Sequence, residues 1–313
     1  MYRSYLHPTL YMRATFSPET LLAAIEQRHV NDKKGRAHDG VWRVVICTED
    51  SVADGEVQQA LLNVSKVLRR MSTDSEVCTY VRARNHGVFR QILHMDGVEK
   101  IDGFVIPKVD TGFETYAQAV ATSHFKLMPI LESNQIVNQS HCMELLEVFD
   151  SYRSQIDCLR IGANDLMGYL GMRRDPQAYT VYDGPVGQTI FNIVNVFGGL
   201  GGFNITAPVF ECYAPQFDDL LRKEVKRSIH YNLFGQTVIH PRHLRVIRDM
   251  YKVSVEDYQS AKQMLESQKA VVGLNGRMDE LTTHRKWAEN IMERKEIFGL
   301  NTFTPELAEV TNT

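Results

Sequence analysis

The sequence predicts an α/β protein built as a (β/α)8 TIM barrel with a C-terminal helical extension. Short apolar segments alternate with amphipathic segments of helical periodicity between residues 9 and 241 of the 313-residue chain. The short segments are apolar on both faces, which is typical of parallel strands covered by helices. A barrel of eight such units needs about 250 residues, so it fits the chain better than an open doubly wound sheet.

The first unit contains both signals of a strand-to-helix transition. Its apolar segment predicts a strand, and Ser17-Pro18-Glu19 predicts a helix start, because serine caps helices and proline is favoured at their first position. The eight predicted strands are Thr9–Thr15, Val41–Cys47, Val77–Ala83, Ile101–Val109, Phe125–Leu131, Ile156–Gly162, Phe203–Pro208 and Gln236–Pro241. Helical periodicity between them occurs at residues 56–71, 112–123, 141–155, 187–197 and 217–232.

The last part of the chain is helical and more polar than the rest. We expect residues 1–252 to form the barrel domain and residues 253–313 the extension. A closed barrel already covers its own strands, so apolar side chains at helical spacing here are expected to be exposed and to bind a second copy of the chain. These side chains are Val255, Tyr258, Ala261, Met264 and Leu265.

Composition indicates a soluble globular protein and excludes several classes of function. The formal net charge is only -3 and no long basic run occurs, so nucleic acid is not an expected partner. The 5 cysteines are far apart and form no C-x-x-C pair, which predicts free thiols in a reducing cytoplasm. No secretion signal is apparent at the N-terminus and no window reaches about 18 apolar residues, so no membrane span is expected.

Charged or amide side chains follow nearly every predicted strand. They are Arg13, Glu49, Asp50, Arg82, Arg84, Asn85, Lys108, Asp110, Glu132, Asn164, Asp165 and His240. A single charged group at a strand end is usually solvated or caps a helix. Bringing so many around one axis costs desolvation and repulsion unless a metal or a charged ligand compensates. Because barrel active sites lie at the carboxyl ends of the strands, this pattern predicts an active site there.

Six motifs in order resemble those of one known family. They are "TEDSV" (Thr48–Val52), "VRARN" (Val81–Asn85), "DGFVIPKVD" (Asp102–Asp110), "PILES" (Pro129–Ser133), "RIGANDLMGYLG" (Arg160–Gly171) and "FGQTVIHP" (Phe234–Pro241). The set resembles the citrate lyase beta-subunit-like family, also called the HpcH/HpaI aldolase superfamily. The chain, including "YDGPVGQTIFNIVNVFGG" (Tyr182–Gly199) and "FNITAPVFE" (Phe203–Glu211), is similar to the divergent carbon–carbon bond lyase branch, which is often associated with tellurite-resistance gene clusters.

The resemblance implies a divalent metal, Mg²⁺ or alternatively Mn²⁺, held by Glu132 and Asp165. Two carboxylates with several positions left for water and substrate oxygens suit the octahedral preference of magnesium. Gly162 is expected to leave room for metal and substrate beside the backbone. The alternative is that Glu132 lies at a helix N-terminus and Asp165 caps a helix.

The resemblance also implies that Arg82 binds the substrate carboxylate or carbonyl, with Arg84 as the second candidate and Lys108 and Gly162 as further substrate-binding residues. A planar guanidinium suits this task because it donates two parallel hydrogen bonds. Glu49 and Asp50 match an acidic pair that orients metal-bound water, Arg82 or Lys108, although an ordinary acidic loop is the alternative.

The function implied is reversible cleavage of a carbon–carbon bond in a hydroxy acid or its coenzyme A thioester. The general base is not assigned, and the candidates are a metal-bound water, Glu49 and Asp50. His240 is expected to have a structural role. Relatives are commonly trimers or hexamers. Ala207-Pro208 stands where many relatives have an aspartate, which questions the thioester and leaves open a non-catalytic assembly or sensing barrel. The other alternative is a phosphoenolpyruvate-type barrel enzyme, which is disfavoured because no catalytic histidine segment is evident.

Overall fold

The computed structural model describes residues 4–31, 37–110, 112–267, 271–274 and 277–301. The chain divides into two compact units, Met1–Ile247 and Arg248–Thr313. The sequence places the domain boundary between residues 252 and 253, within the second of these units. Residues 302–313 of the predicted extension lie outside the described residues.

The first unit is the predicted barrel, which confirms the fold class. Eight parallel strands form one sheet in the order β8-β1-β2-β3-β4-β5-β6-β7. Hydrogen bonds from the Ala207 amide to the Phe234 carbonyl (2.7 Å) and from the Thr237 amide to the Ala207 carbonyl (3.2 Å) bring the two edges together. The strands are β1 (Thr9–Arg13), β2 (Arg43–Cys47), β3 (Cys78–Arg82), β4 (Gly103–Ile106), β5 (Lys126–Leu131), β6 (Leu159–Ile161), β7 (Ile205–Thr206) and β8 (Thr237–Val238).

Helices follow the strands and cover them from outside. The Ser17 hydroxyl accepts a hydrogen bond from the Thr20 amide and so caps the first helix, as predicted. The helices are α1 (Pro18–Glu26), α2 (Val57–Arg70), α3 (His86–Leu93), α4 (Phe113–Ala119), α5 (Gln139–Ser151), α6 (Ala163–Tyr169), α7 (Gly184–Ile193), α8 (Asp218–His230) and α9 (Arg242–Tyr251). A π-helical segment (Val194–Leu200) extends α7, and a short antiparallel pair (His29–Asn31 with Ala37–Asp39) follows α1.

The barrel interior is filled by side chains rather than open as a pore. Its apolar part is a buried cluster of Val45, Tyr80, Val105, Met128, Ile130 and Cys158. Burial raises the pKa of the Cys158 thiol to about 11, so this cysteine stays protonated at neutral pH. Packing of this kind holds the strand ends in fixed positions, as an active site requires.

The second unit has its own core. It contains α10 (Val255–Glu266), α11 (Leu281–Phe298), the parallel pair Val253–Ser254 with Leu300–Asn301, and the antiparallel pair Val271–Leu274 with Arg277–Glu280. Ala261 and Met264 are fully buried against Ala288 and Ile291. The expected exposure of these two side chains is therefore wrong, because α11 covers them within the same unit. Among the described residues, no helix is long and apolar enough to span a bilayer.

Candidate active site

The carboxyl ends of β2 to β6 bring six of the predicted residues into one network of hydrogen bonds and ion pairs. Arg82 is the last residue of β3, Glu132 follows β5 directly, and Asp165 lies in the first turn of α6. The members of this network, called here the mouth network, are Glu49, Asp50, Arg82, Lys108, Glu132 and Asp165.

Arg82 lies at the centre of the mouth network. Its Nη2 atom is 2.6 Å from Glu49 Oε2, 3.2 Å from Glu132 Oε1 and 3.3 Å from Asp50 Oδ2. Burial alone would lower the pKa of Arg82, but the carboxylates around it, Glu132 above all, raise the pKa above its ordinary value. The guanidinium therefore stays charged, with an affinity for anionic oxygen.

Lys108 contacts the same three carboxylates as Arg82 and, in addition, Asp165, and its backbone is strained. Its φ angle of 49° lies in the left-handed region that side chains other than glycine rarely adopt. This conformation lets its amide donate to Glu132 Oε1 (2.9 Å), while Nζ donates to Glu49 Oε1 (2.8 Å) and Asp50 Oδ1 (3.1 Å). Asp165 Oδ1 is 3.6 Å from the same Nζ.

Gly162 is required by the position of the Glu132 carboxylate. A Cβ atom at Gly162 would lie 2.0 Å from Glu132 Oε2 and 2.4 Å from its Cβ, which no relaxed structure permits. Glu132 is only 2% exposed. Burial, opposed by Arg82 and assisted by Asp165, raises the pKa of Glu132 to about 7. The carboxylate is therefore held against a bare backbone in a site with too little positive charge.

Glu49 and Asp50 have different environments although they are adjacent. Burial raises the pKa of Glu49, and Arg82 and Lys108 only partly oppose it. At Asp50 burial also acts to raise the pKa, but hydrogen bonding to Glu49 together with Arg82 and Lys108 lowers it overall. Asp50 is thus the more firmly ionised member of the pair.

The charge balance and donor set of the mouth network fit a magnesium ion. Four carboxylates face two cations, Arg82 and Lys108, so the network carries a formal excess of two negative charges when all are ionised. Within the described part of the chain, no three His, Cys, Asp or Glu side chains converge as a ready-made metal cluster. Magnesium does not need one, because it commonly takes one or two carboxylates and keeps several waters.

The mouth network opens on a cavity of about 940 Å³ lined by Asp50, Arg82, Glu132, Gly162 and Asp165. Arg84 is separate from it, because its Nη2 pairs with Asp54 Oδ1 at 3.0 Å. His240 lines the rim of the cavity, where its ring stacks on Tyr213 with 5.3 Å between centroids.

The cavity is also lined by residues that were not predicted from the sequence. Tyr11 of β1, Arg160 of β6 and Thr237 of β8 all line it. Arg160 stands in the quoted motif "RIGANDL", and an arginine within an otherwise apolar strand is the signal that could have identified it.

A parallel eight-stranded barrel with a charged cavity at the carboxyl ends of its strands defines an enzyme of the TIM-barrel type. The model of the family described as C–C bond lyase of the TIM-barrel fold matches residues 8–300. The chain therefore belongs to this family and is a carbon–carbon lyase, as the motif resemblance predicted. Its reported association with tellurite-resistance gene clusters stays a prediction.

Three solved structures show the same fold at low sequence identity. CitE from Mycobacterium tuberculosis, in complex with magnesium, acetoacetate and coenzyme A, has a TM-score of 0.66 and 18% identity over 94% of this chain and 99% of its own. A citrate lyase from Burkholderia xenovorans LB400 has a TM-score of 0.67 and 12% identity over 95% and 93%. The Haloferax volcanii malate synthase magnesium/glyoxylate complex has a TM-score of 0.59 and 12% identity over 78% and 74%. No curated protein sequence matches the chain.

Proposed function

We propose that the protein is a magnesium-dependent lyase that cleaves or forms a carbon–carbon bond beside the hydroxyl of a short hydroxy acid, in an aldol- or Claisen-type reaction. The observation that carries this proposal is the contact between the Glu132 carboxylate and Gly162. Asp165 lies nearby, beside Lys108, whose amide donates to Glu132. The excess negative charge at this point matches a divalent cation.

Glu132 and Asp165 would hold the magnesium ion. When bound, the ion supplies Lewis-acid stabilisation of the negative charge that develops on the substrate oxygen. Arg82, which lines the cavity, binds the anionic oxygen of the substrate. Lys108 keeps Glu49 and Asp50 in place through its two short hydrogen bonds.

Asp50 is the better placed of the two candidate bases for the hydroxyl proton. It lines the cavity and is half-exposed, whereas Glu49 is only 4% exposed and is not one of the residues that line the cavity. The proton would move to an Asp50 carboxylate oxygen, and Glu49 would act as a positioning residue. A metal-bound water remains the other candidate for the base.

The magnesium complexes of CitE and malate synthase support this proposal, because they place magnesium and small acids in proteins of the same fold. Manganese is the alternative ion for the same oxygen ligands. A coenzyme A thioester is the alternative substrate, since CitE is described with coenzyme A. We also propose that the protein is a cytoplasmic homo-oligomer, a trimer or hexamer.

Ala207-Pro208 is the feature that favoured a barrel without catalysis. In the structure Ala207 is fully buried, and its amide and carbonyl groups close the barrel between β7 and β8. The local sequence therefore has a structural task that is independent of the mouth network. Membership in the carbon–carbon bond lyase family favours the catalytic proposal over the sensing or assembly alternative. A phosphoenolpyruvate-type reaction is disfavoured because the sequence shows no catalytic histidine segment.

Magnesium binding by two single variants tests the proposal. Glu132→Ala and Asp165→Ala should each abolish the binding heat in calorimetry and leave the circular dichroism spectrum unchanged, because each removes one of two protein ligands. Asp54→Ala is the matched control, since Asp54 pairs with Arg84 outside the mouth network. Unchanged affinity in both site variants would disprove this metal site. A mass-resolved screen of short hydroxy acids and their thioesters with the magnesium-loaded protein then identifies the substrate.

A further inference from the structure

Arg160 is a buried cation deep in the cavity. It is 1% exposed and lines the cavity from β6, two residues before Gly162. Side chains two residues apart on a strand point to the same side and are separated by about 7 Å along it. Arg160 therefore lies on the same face as Gly162 but one layer deeper in the barrel.

The described neighbours that hydrogen-bond the Arg160 guanidinium are neutral. Nη1 donates to Thr9 Oγ1 (3.2 Å), and Nη2 donates to Thr237 Oγ1 (2.5 Å) and to the Gly235 carbonyl (3.4 Å). The buried Nε atom has no hydrogen-bond partner among the described residues, and none of their carboxylates forms an ion pair with Arg160. A buried charge without a counter-ion is costly, so an arriving carboxylate would gain charge-assisted hydrogen bonds here.

Tyr11 lies beside Arg160 on the same side of the cavity. Its ring centroid is 5.3 Å from Arg160 Cζ, and its side chain is partly exposed to the cavity. Burial raises the pKa of the Tyr11 phenol, while the charges of Arg160 and Arg82 oppose that shift. The hydroxyl therefore stays protonated at neutral pH and is available as a hydrogen-bond donor to an anion.

We propose that Arg160 and Tyr11 form an anion subsite inside the barrel, which receives the second carboxylate of a short dicarboxylic hydroxy acid. The first end of the same molecule is held at Glu132, Asp165 and Arg82, so this inference rests on the proposed function. It assigns the substrate class: a free diacid fits, whereas a thioester would have to place its large carrier group at the closed, inner end of the cavity.

Binding of two matched probes to the full chain in saturating magnesium tests the subsite. L-malate and (S)-2-hydroxybutyrate share the hydroxy acid end and differ in a terminal carboxylate against a methyl group. Calorimetry should show that malate binds roughly 10- to 100-fold more tightly, because hydrogen bonds to a charged group are strong. Arg160→Met should abolish this preference without changing the affinities for 2-hydroxybutyrate and magnesium.

Two further variants keep the test decisive. Tyr11→Phe removes only the hydroxyl and should weaken malate binding several-fold, which tests the subsite even if Arg160→Met does not fold. Arg13→Met is the matched control, because Arg13 is an exposed arginine that also lines the cavity. A malate preference that survives Arg160→Met, or that is lost in Arg13→Met instead, overturns the subsite. Loss of all magnesium-dependent binding in the unmodified chain would instead contradict the proposed function.

Discussion

The mouth and the base of the barrel each hold a buried arginine against carboxylates, but their charge balance differs. At the base, Arg43 forms an ion pair with Asp157, whose carboxylate also accepts a hydrogen bond from Tyr80 Oη (3.1 Å). The Arg43 guanidinium packs 4.7 Å from the Tyr80 ring centroid. At the mouth, Arg82 and Lys108 together face four carboxylates.

The difference separates a structural site from a functional one. At the base the Arg43–Asp157 ion pair joins two opposite charges, and the base of a TIM barrel is where stability is usually determined. At the mouth the four carboxylates leave an excess of two negative charges, and burial together with Asp165 raises the pKa of Glu132 to about 7 although Arg82 opposes the shift. Arg160 lies between the mouth and the base and has the opposite imbalance, because none of the described carboxylates forms an ion pair with its positive charge. For this reason we propose that it binds an anion.

The largest effect is expected from the smallest change at the mouth, Gly162→Ala. The added Cβ would lie 2.0 Å from Glu132 Oε2, so the carboxylate must leave its position. Magnesium affinity and kcat/KM should fall by at least about a thousandfold, which corresponds to the several kcal/mol that a metal contributes. Calorimetry and steady-state kinetics measure both quantities.

Gly168→Ala is the matched control for this glycine. No atom outside its own helix lies within 4 Å of the Cβ position at Gly168, and α6 tolerates alanine better than glycine. We expect unchanged activity. Activity retained in Gly162→Ala would show that the Glu132 position is not essential. The charge balance of the mouth network would then no longer identify it as the functional site.

A substitution at the base of the barrel should lower the free energy of unfolding rather than the activity. Asp157→Asn removes the carboxylate that pairs with Arg43, which is fully buried, and breaking such a pair costs about 3 to 5 kcal/mol of unfolding free energy. Urea denaturation measures the loss, with Asp54→Asn as the exposed control. The activity per folded molecule should not change. A large loss of kcat with full stability would mean that the base takes part in function.

The sequence predicts the strands better than it predicts the interior of the barrel. Apolar segments at regular spacing identify all eight strands, although β7 is only Ile205–Thr206 because Pro208 has no amide to donate. The charged strand ends identify the mouth network. Arg160 and Tyr11 were missed because the Arg160 partner Thr9 is 151 positions away, so only the closed barrel shows what faces the guanidinium.

In the C-terminal extension, too, the sequence does not show which residues pack together, and here side chains that were expected to be exposed are buried. Ala261 and Met264 have the spacing of an exposed stripe, but Ala288 and Ile291 of α11 bury them. Periodicity indicates that a helix has an apolar face and does not indicate which partner covers it. Self-association of the chain stays a prediction, which light scattering of the full chain at micromolar concentration can test.

Arg82→Lys tests the geometry of the mouth rather than its charge. The substitution keeps the positive charge but removes the planar guanidinium, so one ammonium must replace a group that contacts Glu49, Asp50 and Glu132. We expect kcat/KM to fall by about a hundredfold, with little change in magnesium affinity. Arg84→Lys is the comparison, because Arg84 pairs with Asp54 away from the cavity. Equal losses in the two variants would contradict the assignment of Arg82 as the substrate-binding arginine.

The smallest expected effect is a gain of stability in Glu132→Gln without magnesium. The ordinary pKa of this carboxyl is 4.5 and the folded value is about 7, so the native state binds the proton more tightly than the unfolded state. Its favourable contribution is therefore complete below pH 4.5 and is lost as the pH rises towards 7. At pH 8 a neutral amide avoids the cost of the buried charge, and unfolding free energy should increase by about 2 kcal/mol.

At pH 5 the same substitution should change stability little, because the native carboxyl is already protonated there. Urea denaturation at both pH values, with EDTA present, measures the difference. Asp157→Asn should destabilise the protein at pH 8, so the two ends of the barrel should respond with opposite signs. If both variants lose stability at pH 8, the mouth network is not strained by its negative charge, and the excess charge no longer argues for a cation.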